Sequence, residues 1–187
     1  MNRIMDEREK RDSGLLYDAS PLLEESLRCK DLCFEFNGLR PSQLEEKRKI
    51  IRRLFGRTGR SFLIQPPFWC DYGYNIEIGE NFYANHNCVI LDCNKVVFGD
   101  NVLVGPNCGF YTAGHPLDAG ERLKGLEYAR PIKVGCNVWI GAGVSVMPGV
   151  TIGDNTVIAA GAVVTKDIPE GSLAAGVPAR VIKRIDV

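Results

Sequence analysis

Apolar side chains return at every sixth position through much of this chain. Val134, Ile140, Val146, Ile152, Ile158 and Val164 form one unbroken row, and Ile132, Val138, Val144 and Val150 run two places ahead, continued by Thr156 and Ala162. Small residues follow the first row at Gly135, Gly141, Gly153 and Ala159. Alternating apolar positions predict short strands, and a small residue after each predicts a turn. One such unit cannot bury its apolar face alone, so successive units must coil and stack, about three faces to a coil. Upstream, Tyr72, Ile78, Ala84 and Ile90 keep the same step, and Phe98, Val104 and Phe110 resume it after a two-residue slip. The expected fold is mainly β, a parallel β-helix built of hexapeptide repeats.

The first 60 residues follow a different rhythm. Leu22, Leu23, Leu27, Leu32, Cys33, Phe34 and Phe36 fall among charges at helical spacing and predict one apolar helix face. After Pro41, the residues Leu44, Ile50, Ile51, Leu54 and Phe55 predict a second helix. Ser42 and Glu45 are spaced as its capping box, and Gly56 stands where it can stop. The expected organisation is a helical region over 1–60 and a β-helical domain over 61–187 with a C-terminal tail.

One stretch breaks the hexad rhythm. Residues 111–131 lack it, yet Phe110 and Val134 remain a whole number of hexads apart, so the segment is expected to leave the coil as a loop. It carries His115, one of only two histidines, between Gly114 and Pro116. Imidazole near its ordinary pKa accepts a proton at neutral pH, and a loop presents it where the coil interior has room mainly for aliphatics.

Composition narrows the function classes. The 23 basic and 23 acidic side chains cancel, which gives no electrostatic reason to expect nucleic acid. No apolar run approaches the roughly 18 residues of a membrane span, and the charged opening residues lack a secretory core, so a cytoplasmic location is expected. The seven cysteines include no CxxC pair and predict reduced, buried side chains rather than a metal centre.

The segments CDYGYNIEIGENFYANHNCVILD (70–92), YTAGHP (111–116), VGCNVWIGAGVSVMPGVTIGDNTVIAAGAVVTKDIP (134–169) and AAGVPARVIKRI (174–185) together resemble the hexapeptide-repeat acyltransferases of the maltose and galactoside O-acetyltransferase type. The resemblance implies a left-handed coil and a homotrimer with active sites between subunits. It also implies transfer of acetyl from acetyl-CoA to a sugar hydroxyl without a metal. In that setting His115 is the general base and Asn85 stabilises the developing oxyanion. Asp71, Asp92 and Glu127 are the acceptor candidates, because carboxylates accept hydrogen bonds from several hydroxyls; Asp71 and Glu127 fit the maltose type better. The family's acidic contact falls at Asp92 or at the next position, Cys93, and its N-terminal contact falls near Asp18. Trp139, Ala142, Ala160, Thr165, Lys166, Arg180 and Lys183 coincide with coenzyme A contacts: small residues leave room for pantetheine and basic ones meet phosphates. A xenobiotic or amino-acid acetyltransferase on the same coil, or a non-catalytic scaffold, are the alternatives. With no cysteine in the loop, direct transfer is expected over an acyl-cysteine route.

Overall fold

The computed structural model describes residues 4–185. It shows a parallel β-solenoid of about six turns with three walls. The first wall stacks Phe62–Ile64, Phe82–Ala84, Leu103–Val104, Trp139–Ile140, Val157–Ile158 and Ser172–Ala175. The second stacks Phe68–Cys70, Cys88–Leu91, Gly109–Tyr111, Ser145–Val146 and Val163–Val164. The third stacks Ile76–Glu77, Val96–Phe98, Ile132–Val134 and Thr151–Ile152. The predicted aliphatic row is the inward row of all three, and Val134, Ile140, Val146, Ile152, Ile158 and Val164 are all buried.

Register exposes the reason for the irregular steps. The second-wall row runs Cys70, Ile90, Phe110, Val146, Val164, so Cys70 and not Tyr72 belongs to it. From Cys70 to Ile78, and again from Ile90 to Phe98, the chain takes two residues more than a hexad to turn from the second wall to the third. At the next passage, between Phe110 and Val134, it extrudes the predicted loop. All three insertions therefore stack on one corner. Tyr72, freed from the inward row, joins a separate buried cluster there with Tyr17, Leu22, Cys93 and Ala129.

The opposite device keeps another corner tight. Where the third wall turns to the first, Asn81, Asn101, Asn137 and Asn155 all take φ between 53° and 56°, a left-handed conformation that asparagine tolerates better than most residues. Their side chains form a ladder, Nδ2 to Oδ1, at 3.0, 3.0 and 2.9 Å. Two places before Asn81, Gly79 lies so near the next coil that a Cβ would stand 2.6 Å from the Gly99 carbonyl oxygen, which excludes any larger residue.

The open end of such a coil would expose its core to water, and the N-terminal region covers it. Helices α1 (Glu7–Asp12), α2 (Leu23–Gly38) and α3 (Leu44–Leu54) precede the first wall. Phe36 of α2 and Phe55 pack edge-on against Phe68, with centroids 6.4 and 5.6 Å apart. The stack continues inside the coil as Phe82, Phe98 and Phe110, at 5.0 and 4.9 Å. The α2 face differs from the expected one: Ser26, Cys29, Cys33 and Phe36 are buried, while Leu23, Leu27 and Phe34 are exposed. The helix carries two apolar stripes, and the one with Cys29, Cys33 and Phe36 takes the coil side. The expected Ser42–Glu45 capping box does not form. Gln43 accepts from the Arg40 amide at 2.9 Å, and α3 begins one residue later than the box requires.

Candidate active site

The first wall carries a long groove of about 630 Å³ on its outer side. Its floor is the outward row Tyr83, Leu103, Trp139, Val157 and Leu173, five side chains in register. Alongside lie Asn85, Gly105, Gly141, Ala142 and Ala160, most of them too small to obstruct the channel. Lys183 lines an adjoining cleft with Trp139 and Leu173. Of the expected donor residues, the groove thus gathers Trp139, Ala142 and Ala160, with Lys183 at its edge. Thr165 and Lys166 follow the last second-wall strand at a different corner, and Arg180 turns its guanidinium to the Ala179 carbonyl at 2.8 Å. Asn85 stands at the groove with its Oδ1 accepting from the His86 amide at 2.8 Å, so its Nδ2 is the end left to donate.

His115 lies across the core from this groove, at the corner between the second and third walls. A small antiparallel sheet holds it, made of Ala113–Gly114, Leu126–Ala129 and Tyr17–Asp18. The loop continues through a short helix, α4 (Ala119–Leu123). His115 is exposed, and its Nδ1 lies 3.3 Å from the Leu126 carbonyl oxygen. A carbonyl only accepts, so Nδ1 is the donor, and in the neutral ring Nε2 then keeps its lone pair. Asp18 pairs across the strands with Leu126, and its carboxylate accepts from the Ser20 amide at 2.8 Å.

The stacked insertions bring three further expected residues beside the loop. Tyr17 donates to Glu127 Oε2 at 2.8 Å, and burial pushes its phenol well above the ordinary value, which keeps it a donor. Cys93 Sγ lies 3.7 Å from Asp71 Oδ2, and Lys30 Nζ stands 3.5 Å from the other oxygen of the same carboxylate. Burial, with Asp71 beside it, pushes the Cys93 thiol up to about 12. A thiol that weak as an acid supplies almost no thiolate at neutral pH.

The Maltose acetyltransferase hexapeptide capping motif matches residues 10–59, and the Bacterial transferase hexapeptide (six repeats) matches residues 131–166. The galactoside O-acetyltransferase of Escherichia coli K12 is 46% identical over 186 residues, covering 100% of this chain and 92% of that protein. The chain belongs to the hexapeptide-repeat acetyltransferases. The crystal structure of a maltose O-acetyltransferase from Clostridium difficile 630 superposes with a TM-score of 0.97 at 49% identity, covering 99% of this chain and 100% of that one. A galactoside acetyltransferase in complex with coenzyme A gives 0.95 at 46% identity, covering 98% and 92%.

Within this hexapeptide-repeat acetyltransferase, Asp92 has a different place from the one its sequence position suggests. It is fully buried and has no exposed surface with which to meet a sugar. Its Oδ1 accepts from the amides of Asp71 and Tyr72, both at 2.9 Å, while Oδ2 has no partner. Asp92 therefore shapes the corner that presents Asp71. Burial is the largest influence on its carboxyl and raises it from 3.8 to about 6. Between those values the folded chain holds a proton that the unfolded chain has released, so stability from this group is present at low pH and lost as pH rises through the window. The shift corresponds to roughly 3 kcal/mol. We expect Asp92→Asn, which keeps the oxygen acceptor, to resemble the parent in urea unfolding near pH 4 and to become the more stable of the two by pH 7. An unchanged difference across that range would remove the assignment.

Proposed function

We propose that the chain transfers acetyl from acetyl-CoA to a hydroxyl of a sugar of the maltose or galactoside class, with His115 as general base. The observation that supports this reading is the His115 ring, exposed on the extruded loop with Nδ1 engaged by the Leu126 carbonyl, which leaves Nε2 as the nitrogen available to act as a base. The groove suits coenzyme A in shape: it is long, apolar and floored by Trp139, with Ala142 and Ala160 leaving width for a narrow arm. Bound there, acetyl-CoA supplies an activated thioester. His115 Nε2 takes the proton of the attacking hydroxyl and returns it to the leaving sulfur. Asn85 Nδ2 donates toward the negative charge that develops on the carbonyl oxygen, a contribution of a few kcal/mol in comparable sites. Asp71 and Glu127 offer carboxylate oxygens to the acceptor at the corner from which the loop rises. Lys183 and Arg180, on one strand at the edge of the first wall, supply the phosphate end, and Thr165 and Lys166, which lie on the loop side at the corner between the second and third walls, come to it from the neighbouring subunit.

Base and groove lie on opposite sides of one coil, so a complete site takes the loop of one subunit and the first wall of another. A homotrimer meets that requirement and closes the ring. No helix among the described residues is long and apolar enough to cross a membrane, and we place the enzyme in the cytoplasm.

With the Cys93 thiol beside Asp71 pushed up to about 12, direct transfer with both substrates bound together is expected. Initial rates measured against acetyl-CoA at several fixed concentrations of maltose or a galactoside should give intersecting lines, and acetyl-CoA alone should leave the protein's mass unchanged. Parallel lines with a trapped acetyl-cysteine would overturn direct transfer.

A further inference from the structure

Three cysteines remote in sequence meet where α2 lies on the coil. Cys29 and Cys33 stand one turn apart on the buried face of the helix, and Cys70 is an inward residue of the second wall. Their three sulfurs lie within 4.8 Å of one another, with Cys29 Sγ 3.5 Å and Cys33 Sγ 3.7 Å from Cys70 Sγ. All three are free thiols. A metal–sulfur bond of about 2.3 Å sets the sulfurs around one centre about 3.7–4.0 Å apart, so these thiols already stand near that spacing. Cys29 also lines a cleft of about 300 Å³ with Glu25, Arg28, Arg53 and Tyr74, which gives a route from solvent.

We propose that Cys29, Cys33 and Cys70 form a binding site for a trivalent, three-coordinate thiophilic ion, of which arsenite is the representative. Ligand number argues first. Among the described residues no histidine or carboxylate joins the group, so zinc would lack its usual fourth protein donor. Charge argues second. Three thiolates around zinc(II) leave one net negative charge, and around copper(I) two, and a buried net charge is costly. The surroundings offer little relief: Asp92 accepts from the amides of Asp71 and Tyr72, the residues directly after Cys70, and the Lys30 ammonium already faces Asp71. A trivalent centre makes the trithiolate neutral. The chemistry balances without an oxidant: three S–H and three As–OH bonds break, three As–S bonds form, three waters leave, and no oxidation state changes.

The test uses the full chain, reduced with a phosphine and given one equivalent of sodium arsenite. Native mass spectrometry should show one arsenic per chain with the loss of three hydrogens. Rapid alkylation in denaturant, followed by peptide mapping, should find Cys29, Cys33 and Cys70 protected together and Cys88, Cys93, Cys108 and Cys136 unprotected. Cys33→Ser should lose the stoichiometric adduct. No adduct, protection at other cysteines, or retention of zinc(II) or copper(I) in place of arsenic under competition would overturn the proposal. The map on the parent protein decides the matter even if the serine variant folds poorly.

Discussion

Replacing His115 by alanine is expected to lower kcat by at least about 10²-fold, the scale on which a positioned general base contributes. The affinity for coenzyme A and the state of assembly should not change, because the groove proposed for the donor lies on the first wall and His115 lines no part of it. The side chain is exposed, and the hydrogen bond it loses is to the Leu126 carbonyl, which solvent can satisfy. Folding should therefore be unaffected, and the loss should fall on kcat with little effect on the KM for acetyl-CoA. Near-normal turnover in this variant would remove His115 from the chemistry.

A second expected result is recovery of activity from two inactive proteins. Ala142 is exposed at the edge of the groove, so Ala142→Trp should fold and obstruct the donor channel. Alone, it should be as inactive as His115→Ala. If each site joins the loop of one chain to the wall of another, random co-assembly of equal amounts places an intact loop against an intact groove in about a quarter of sites. The mixture, refolded together, should reach roughly that fraction of parental activity. Continued inactivity, with mixed oligomers demonstrated by mass, would mean that each site is built within a single chain.

The coil was legible because its chemistry repeats: an aliphatic residue every six positions suits a stacked coil and few folds besides, and the row from Val134 to Val164 is buried as expected. Tyr72 was misplaced because a two-residue insertion at the corner leaves the period intact while shifting which residue faces inward. On α2, spacing identified a helix but not which of two apolar stripes meets the coil, because both repeat at the same helical step. The histidine loop was visible as an interruption. The thiol cluster was not, because Cys70 reaches Cys29 only after the chain has passed through two helices. Asp92 looked available to a ligand because a carboxylate in a polar motif gives no sign of burial. The asparagine ladder did leave a signal, an asparagine two places after Gly79, Gly99, Gly135 and Gly153, but its meaning lies in stacking across coils.

The gathering of every insertion on one corner separates two kinds of evolutionary freedom. On the first wall, each strand is locked to the one above and below, so lengthening any hexad would throw the whole groove out of alignment. At the corner between the second and third walls, segments already differ in length from coil to coil without disturbing either wall. Residues can thus be added or removed at that corner while the groove on the first wall keeps its alignment. The architecture is a fixed handle with an interchangeable head.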